Sequence, residues 1–152
     1  MRLSMILLAA SLFVLVSLAR ADMEEQYDVA VVYADAKADT VFNLWEGFNH
    51  QPVRRLCYID NDDRPQIPYA DIARITFRHS ERDGRMIPLS ILLHDGHTKQ
   101  GVLWFNDSFF GTTEDGAEWR GWITNLSSMT FLPARIDSGA PSVRPGHSRN
   151  ES

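Results

Sequence analysis

The sequence predicts an all-β domain, a small sandwich or SH3-like barrel built from two related halves, and three observations carry that reading. Short β-branched and aromatic runs recur about every 8–12 residues between Gly-bearing turns, the spacing of antiparallel sandwiches and barrels. The stretch Tyr69-Ala70-Asp71-Ile72-Ala73-Arg74-Ile75-Thr76-Phe77 returns 54 residues later as Ile123-Thr124-Asn125-Leu126-Ser127-Ser128-Met129-Thr130-Phe131, with size and polarity class kept nearly throughout. Val31-Val32-Tyr33-Ala34-Asp35 matches Ile91-Leu92-Leu93-His94-Asp95 at an offset of 60. A duplicated β-unit explains both offsets better than alternation shared by chance.

Within the repeated unit, Ile75 and Phe77 alternate with Thr76, and Met129 and Phe131 with Thr130, the period of a half-buried strand. Asp71 and Asn125 stand where a side-chain oxygen bonds the backbone two or three residues on, so the expected unit is an Asx-type turn feeding a core strand.

The first 21 residues read as a signal peptide rather than as part of the fold. Arg2 is followed by an apolar run from Met5 to Leu18, and Ala19-Arg20-Ala21 offers small residues at the two positions a signal peptidase reads. The run is shorter than the ~20 residues of a spanning helix. The expectation is a secreted or periplasmic protein starting at Asp22, with no transmembrane segment after cleavage. Residues 22–132 then form one β-rich domain with halves 22–79 and 86–132. Residues 133–152, rich in Pro, Gly, Ser and Arg, form a disordered tail that cannot bury enough to offset ordering entropy.

Without residues 1–21 the chain keeps 13 basic and 20 acidic side chains, a net charge of −7. Such a domain repels phosphate backbones, which argues against nucleic acid as a partner. Cys57 is the only cysteine, so no internal disulfide exists and stability rests on an apolar core. Its setting, Leu56-Cys57-Tyr58-Ile59, is that of a buried, inert thiol, an intermolecular disulfide being the alternative.

Taken in order, Val29–Tyr33 is the first core strand. Ala34 to Asp39 is a connection. Thr40 to Phe48 is ambiguous: Phe42, Leu44 and Phe48 suit a strand, yet Val41, Leu44, Trp45 and Phe48 have helical spacing. A strand is preferred because the second half aligns one there. Pro52 to Ile59 reads as a strand ending in the turn Asp60-Asn61-Asp62-Asp63-Arg64-Pro65, and Ile67 to Phe77 holds the first copy of the unit. After the polar link at Asp83-Gly84, strands follow over Ile87 to Leu93, Thr98 to Asn106, Ser108 to Thr113 and Ala117 to Ile123.

This second half, with Asp95-Gly96, Thr113-Glu114-Asp115-Gly116 and the ending Leu126 to Phe131, resembles small exported bacterial β-domain repeats of unknown function. The likeness covers about 45 residues; the first half lacks the Asp-Gly. It implies a compact SH3-like or sandwich-like β fold and brings no catalytic residues with it.

Two sites compete on the residues themselves. Trp104, Phe105, Phe109, Phe110, Trp119 and Trp122 crowd a short span, and alternation sends one member of each neighbouring pair away from the core. A face bearing some of Trp104, Phe109, Trp119 and Trp122 is therefore the candidate binding surface, for an envelope or extracellular protein or for self-association. The alternative is a divalent-metal-dependent hydrolase in which His94, Asp95 and His97 of one turn converge on an ion, with His79 or His50 completing the shell. Hairpin chemistry fully explains the Asp-Gly, exposed histidines on turns are common, and no H-E-x-x-H or Cys pair supports a metal site. The oxygens of Asp60 to Asp63 lack the later Gly and Glu of a calcium loop. No Ser sits in a nucleophile elbow, and Glu114, Asp115 and Glu118 occupy a turn region where charge is expected. The sequence reading is thus an exported, non-catalytic binding or assembly domain without a cofactor.

Overall fold

The computed structural model of the chain describes residues 25–48, 51–133 and 135–136. The signal peptide expected at 1–21, His50 and nearly all of the tail expected at 133–152 lie outside them. Most of what is described belongs to one compact unit, Gln26–Arg135; the other unit, Met1–Glu25 with Ile136–Ser152, lies almost wholly outside.

The described residues are all-β, with three 3-10 turns and no α-helix. After the two-residue β1 (Glu25–Gln26) come β2 (Val29–Tyr33), β3 (Ala38–Phe48), β4 (Gln51–Val53), β5 (Arg55–Cys57) and β6 (Gln66–Pro68). They are followed by β7 (Ile72–Phe77), β8 (Met86–Leu93), β9 (Thr98–Trp104), β10 (Ser108–Thr112), β11 (Glu118–Trp122), β12 (Leu126–Phe131) and the short β13 (Arg135–Ile136). Eight strands form one antiparallel, strongly curled sheet, a half-barrel, in the order β11-β10-β3-β2-β12-β7-β8-β9, with β4 added beside β3. β5 and β6 pair separately, and Ile59, just beyond β5, bridges to Val102 of β9.

The repeated unit has one local structure in both places. Tyr69–Asp71 and Ile123–Asn125 are 3-10 turns, closed when the Ile72 N–H donates to the Tyr69 carbonyl and the Leu126 N–H to the Ile123 carbonyl. This corrects the expected side-chain turn: Asp71 and Asn125 contribute carbonyl oxygens instead, accepting from the His94 and Ala34 N–H groups at 3.0 and 2.8 Å. Tyr69, Ile72, Ile75 and Phe77 are buried, as are Ile123, Leu126, Met129 and Phe131. Full burial of side chains this size stabilises by about 1.5–3 kcal/mol each. The ladders flanking the copies also correspond. β12 runs along β2 from Leu126↔Tyr33 to Phe131↔Val29, and β7 along β8 from Ile72↔Leu93 to Phe77↔Leu89, each with a register shift after its first pair.

Three hairpins share one turn. Tyr33, Leu93 and Thr113 each donate an N–H to the residue four on (Lys37, His97, Ala117), and the Asp at the turn accepts the N–H two on. The residue after that Asp takes positive φ: Gly96 at 87°, Gly116 at 82° and, in the first half, Ala36 at 66°. The first half therefore makes the same turn without Asp-Gly.

Thr40 to Phe48 is strand, and the helical spacing of its apolar residues has a cause. Asn43 sits at φ 50°, breaking the alternation of β3. Val41 and Leu44, three apart, consequently both point into the core. The Asp28 carboxylate holds this corner by accepting the Asn43 N–H at 3.1 Å, while the Leu44 N–H donates to the Tyr27 carbonyl at 2.8 Å. At this corner β3 leaves β2, its last pair there being Val41↔Val29, and from Phe42 on it pairs with β10 and then with β4. The strand expected over Pro52 to Ile59 is two short pieces, parted at Arg54, whose carbonyl accepts the Tyr69 N–H at 3.1 Å and whose guanidinium donates to Asn43 Oδ1 at 2.9 Å.

Candidate recognition face and the adjoining cleft

On β10, alternation places Phe109 inside, where it is 1% exposed, and Phe110 outside. Phe109 is thus a core residue, a correction to its expected place on a binding surface; it meets Phe77 edge-on at 6.5 Å. Phe110 faces outward in register with Trp45 of β3 on one side and Arg120 of β11 on the other. Its ring stacks on Trp45 at 4.4 Å and 13°. The Arg120 guanidinium lies 5.1 Å from the Phe110 centroid and 3.9 Å from that of Trp122, and its Nε donates to Ser108 Oγ at 3.1 Å. The outer face of β3, β10 and β11 therefore carries a row of flat groups, Trp45, Phe110, Arg120 and Trp122. The stack contributes about 0.5–1.5 kcal/mol, and each exposed cation–π contact about 0.5–1 kcal/mol, so the row holds its shape in water.

Trp122 is one of the exposed large apolar residues, at 38%. Trp119 turns the other way: it packs against the core, its ring lies across Gly121, and its Nε1 donates to the Tyr33 hydroxyl at 2.9 Å. A Cβ on Gly121 would stand 2.1 Å from that ring, so any larger residue there displaces it.

Trp104, 37% exposed, belongs to a different place. It lines a cleft of about 130 Å³ together with Glu46, Cys57, Arg64, Gln66 and Asp107. Glu46 points inward, opposite Phe109, and its Oε2 accepts the Cys57 N–H at 3.0 Å. Burial, reinforced by the charge of Asp107, raises its carboxyl to about 8, so it holds a proton at neutral pH. The Cys57 thiol is raised to about 11, first by burial and then by Glu46, and stays protonated and unreactive. Asp107 is also raised by burial, and its Oδ2 accepts the Trp104 N–H at 2.9 Å. The cleft offers a proton-bearing carboxyl and a tryptophan ring beside an inert thiol. It lacks the activated nucleophile of covalent catalysis.

For the metal alternative, His94, Asp95 and His97 lie on one exposed turn, and His50 lies outside the described residues. Among the described residues, no group of three His, Cys, Asp or Glu side chains is placed to hold an ion. Asp95 is used by its own turn, accepting the His97 N–H at 2.9 Å and pairing with His97 Nδ1 at 3.1 Å. His94 and His97 are exposed, while His79 Nε2 is bonded to the Leu126 carbonyl. Asp60 to Asp63 closes a turn through reciprocal backbone bonds.

Of the four aromatic residues singled out in the sequence, Trp122 alone lies on the outer row. Phe110, named only among the crowded aromatics, and Trp45 and Arg120 were not placed on the candidate face. Alternation separates Phe109 from Phe110 without saying which is inside, and Trp45 sits beyond a corner that reverses the alternation. Arg120, two residues before Trp122 on a regular strand, was legible as its same-face neighbour.

The chain matches no protein-family model, no curated protein and no solved structure.

Proposed function

We propose that this chain is an exported, non-catalytic assembly domain that recognises an envelope or extracellular protein through the outer face of β3, β10 and β11. The observation that carries the reading is the Arg120 guanidinium set against Phe110 and Trp122, with Phe110 stacked in turn on Trp45. Aromatic and arginine side chains dominate the energetic centres of protein interfaces because they bring large contact area with little entropy to lose. These four are ordered by one another before any partner arrives, which lowers the cost of binding. The signal-like segment at 1–21 and the acidic balance support export and argue against nucleic acid.

The accompanying fold reading is of a small sandwich or SH3-like barrel built from two related halves. Its support is the equal burial of the two copies of the unit, their flanking ladders and the shared hairpin turn. A second correspondence adds to it: the Thr112↔Phe42 pair at one end of the sheet matches the Ile59↔Val102 bridge at the other.

A photo-crosslinker placed at Pro52, exposed on β4 at the Trp45 side of the face and away from the β11 edge, tests the function. In the native host it should give a discrete adduct that disappears in Phe110→Ser/Trp122→Ser while the melting temperature changes little. No adduct, or one that persists in that variant, overturns the reading.

A further inference from the structure

We infer that the free edge of β11 pairs antiparallel with β11 of a second copy of this chain, joining two half-barrels through one continuous sheet. The inference rests on the assembly reading above and names a second copy as a partner.

β11 ends the long sheet and, among the described residues, has β10 as its one strand neighbour. The Thr113 N–H donates to the Ala117 carbonyl and the Ile123 N–H to the Asp107 carbonyl, so the odd-numbered residues of β11 bond toward β10. Alternation along an antiparallel strand then directs the backbone N–H and C=O groups of Glu118, Arg120 and Trp122 outward. An unpaired row of this kind is a template for another strand, and folded proteins blunt such rows with Pro, Lys, bulges or brevity. At the other end of the long sheet β9 carries Lys99 and is bridged by Ile59, and the separate strand β6 has three residues, ends in Pro68 and follows Pro65. β11 has five residues, Glu-Trp-Arg-Gly-Trp, with neither Pro nor Lys, and its register with β10 is unbroken.

Charge selects both the occupant and the register. A two-fold pairing centred on Trp119 sets Glu118 opposite Arg120 of the second copy, and Arg120 opposite its Glu118. Both pairs use outward-directed backbone groups and oppose unlike charges. Centring on Arg120 instead sets that cation against itself. Centring on Gly121 carries Glu118 against the 3-10 turn at Ile123–Asn125, where the strand has ended. The Trp119-centred register also brings the exposed Trp122 ring over the Gly116 turn of the second copy, where no side chain competes for the space.

Sedimentation equilibrium of the full exported chain over a concentration series, with amide exchange read residue by residue, decides the matter. Wild type should dimerise, and exchange at Arg120 and Trp122 should slow as concentration rises. Glu118→Arg and Arg120→Glu should each weaken dimerisation roughly tenfold or more, since each sets like charges opposite one another twice. The double variant Glu118→Arg/Arg120→Glu should restore it. A wild-type monomer at every concentration, single variants that still dimerise, or a double variant that stays monomeric overturns edge pairing. The function proposed above fails separately, on the crosslinked adduct. A dimer lost in Phe110→Ser/Trp122→Ser but untouched by Glu118→Arg assigns self-association to the aromatic face and overturns edge pairing.

Discussion

Ile75 and Met129, equivalent positions in the two copies of one sequence unit, pair with each other across β7 and β12. Thr76↔Ser128 and Arg74↔Thr130 follow on either side. An antiparallel ladder can match a segment to its own copy at one position only, and that position marks a local two-fold axis between the strands. Both residues are fully buried, so the symmetric centre lies within the core.

Equal burial makes the two copies energetically comparable. Phe77 and Phe131 are 5% and 6% exposed. Phe77→Ala and Phe131→Ala should each destabilise by about 3–5 kcal/mol in urea unfolding, from lost transfer free energy plus the cavity left behind. A loss well below that range for one of them would mean that the two strands are not equivalent supports of the core.

Ala36 holds a left-handed conformation that costs a non-Gly residue roughly 1–2 kcal/mol. Ala36→Gly should relieve it and raise stability by about 0.5–1 kcal/mol, part of the gain being offset by the greater freedom of Gly in the unfolded chain. Gly96→Ala, at the matching turn, should lower stability by about 1 kcal/mol. Shifts in the denaturation midpoint check both signs.

Close crossings at the two ends of the sheet each require a Gly. A Cβ on Gly101 would meet the Tyr58 ring at 2.2 Å and the Ile59 carbonyl at 2.8 Å, and one on Gly111 would meet Val41 at 2.5 Å and the Phe42 carbonyl at 2.8 Å. Because backbone is among the atoms met, neither site relaxes by a rotamer change. Gly101→Ala and Gly111→Ala should each cost about 1–3 kcal/mol, measured by thermal unfolding.

Glu46 makes stability depend on pH. Its folded value of about 8 lies above its ordinary 4.5, so between these values the unfolded carboxyl is ionised while the folded one is still protonated. Its contribution is fully present below pH 4.5, declines as pH rises and is gone above about pH 8. Glu46→Gln still offers an oxygen to the Cys57 N–H and does not titrate. It should flatten this part of the profile and be the more stable form at pH 8, by of order 2 kcal/mol given that the residue keeps some contact with water. Parallel profiles for wild type and variant would show that the carboxyl is not buried in its neutral form.

What the sequence determined by itself was local. The repeated unit, the Asp-centred hairpin turns and the alternating runs follow from turn chemistry and from the two-residue period of a strand, both set within a few neighbours. Even the first-half turn was visible as a match to Asp95, although Ala36 replaces the Gly. The tertiary structure alone decided what those signals leave undetermined. Alternation has two phases, so Phe109 and Phe110 are indistinguishable until β10 docks on β3, and the left-handed Asn43 reverses the phase that Trp45 would otherwise follow. Strand neighbours come from distant parts of the chain, so neither the Ile75–Met129 pairing nor the Trp45, Phe110, Arg120 and Trp122 row has a signature within any one segment. The proton on Glu46 has the same origin: its carboxyl is ordinary in sequence, and only the meeting of β3 with Cys57 and Asp107 takes it out of water.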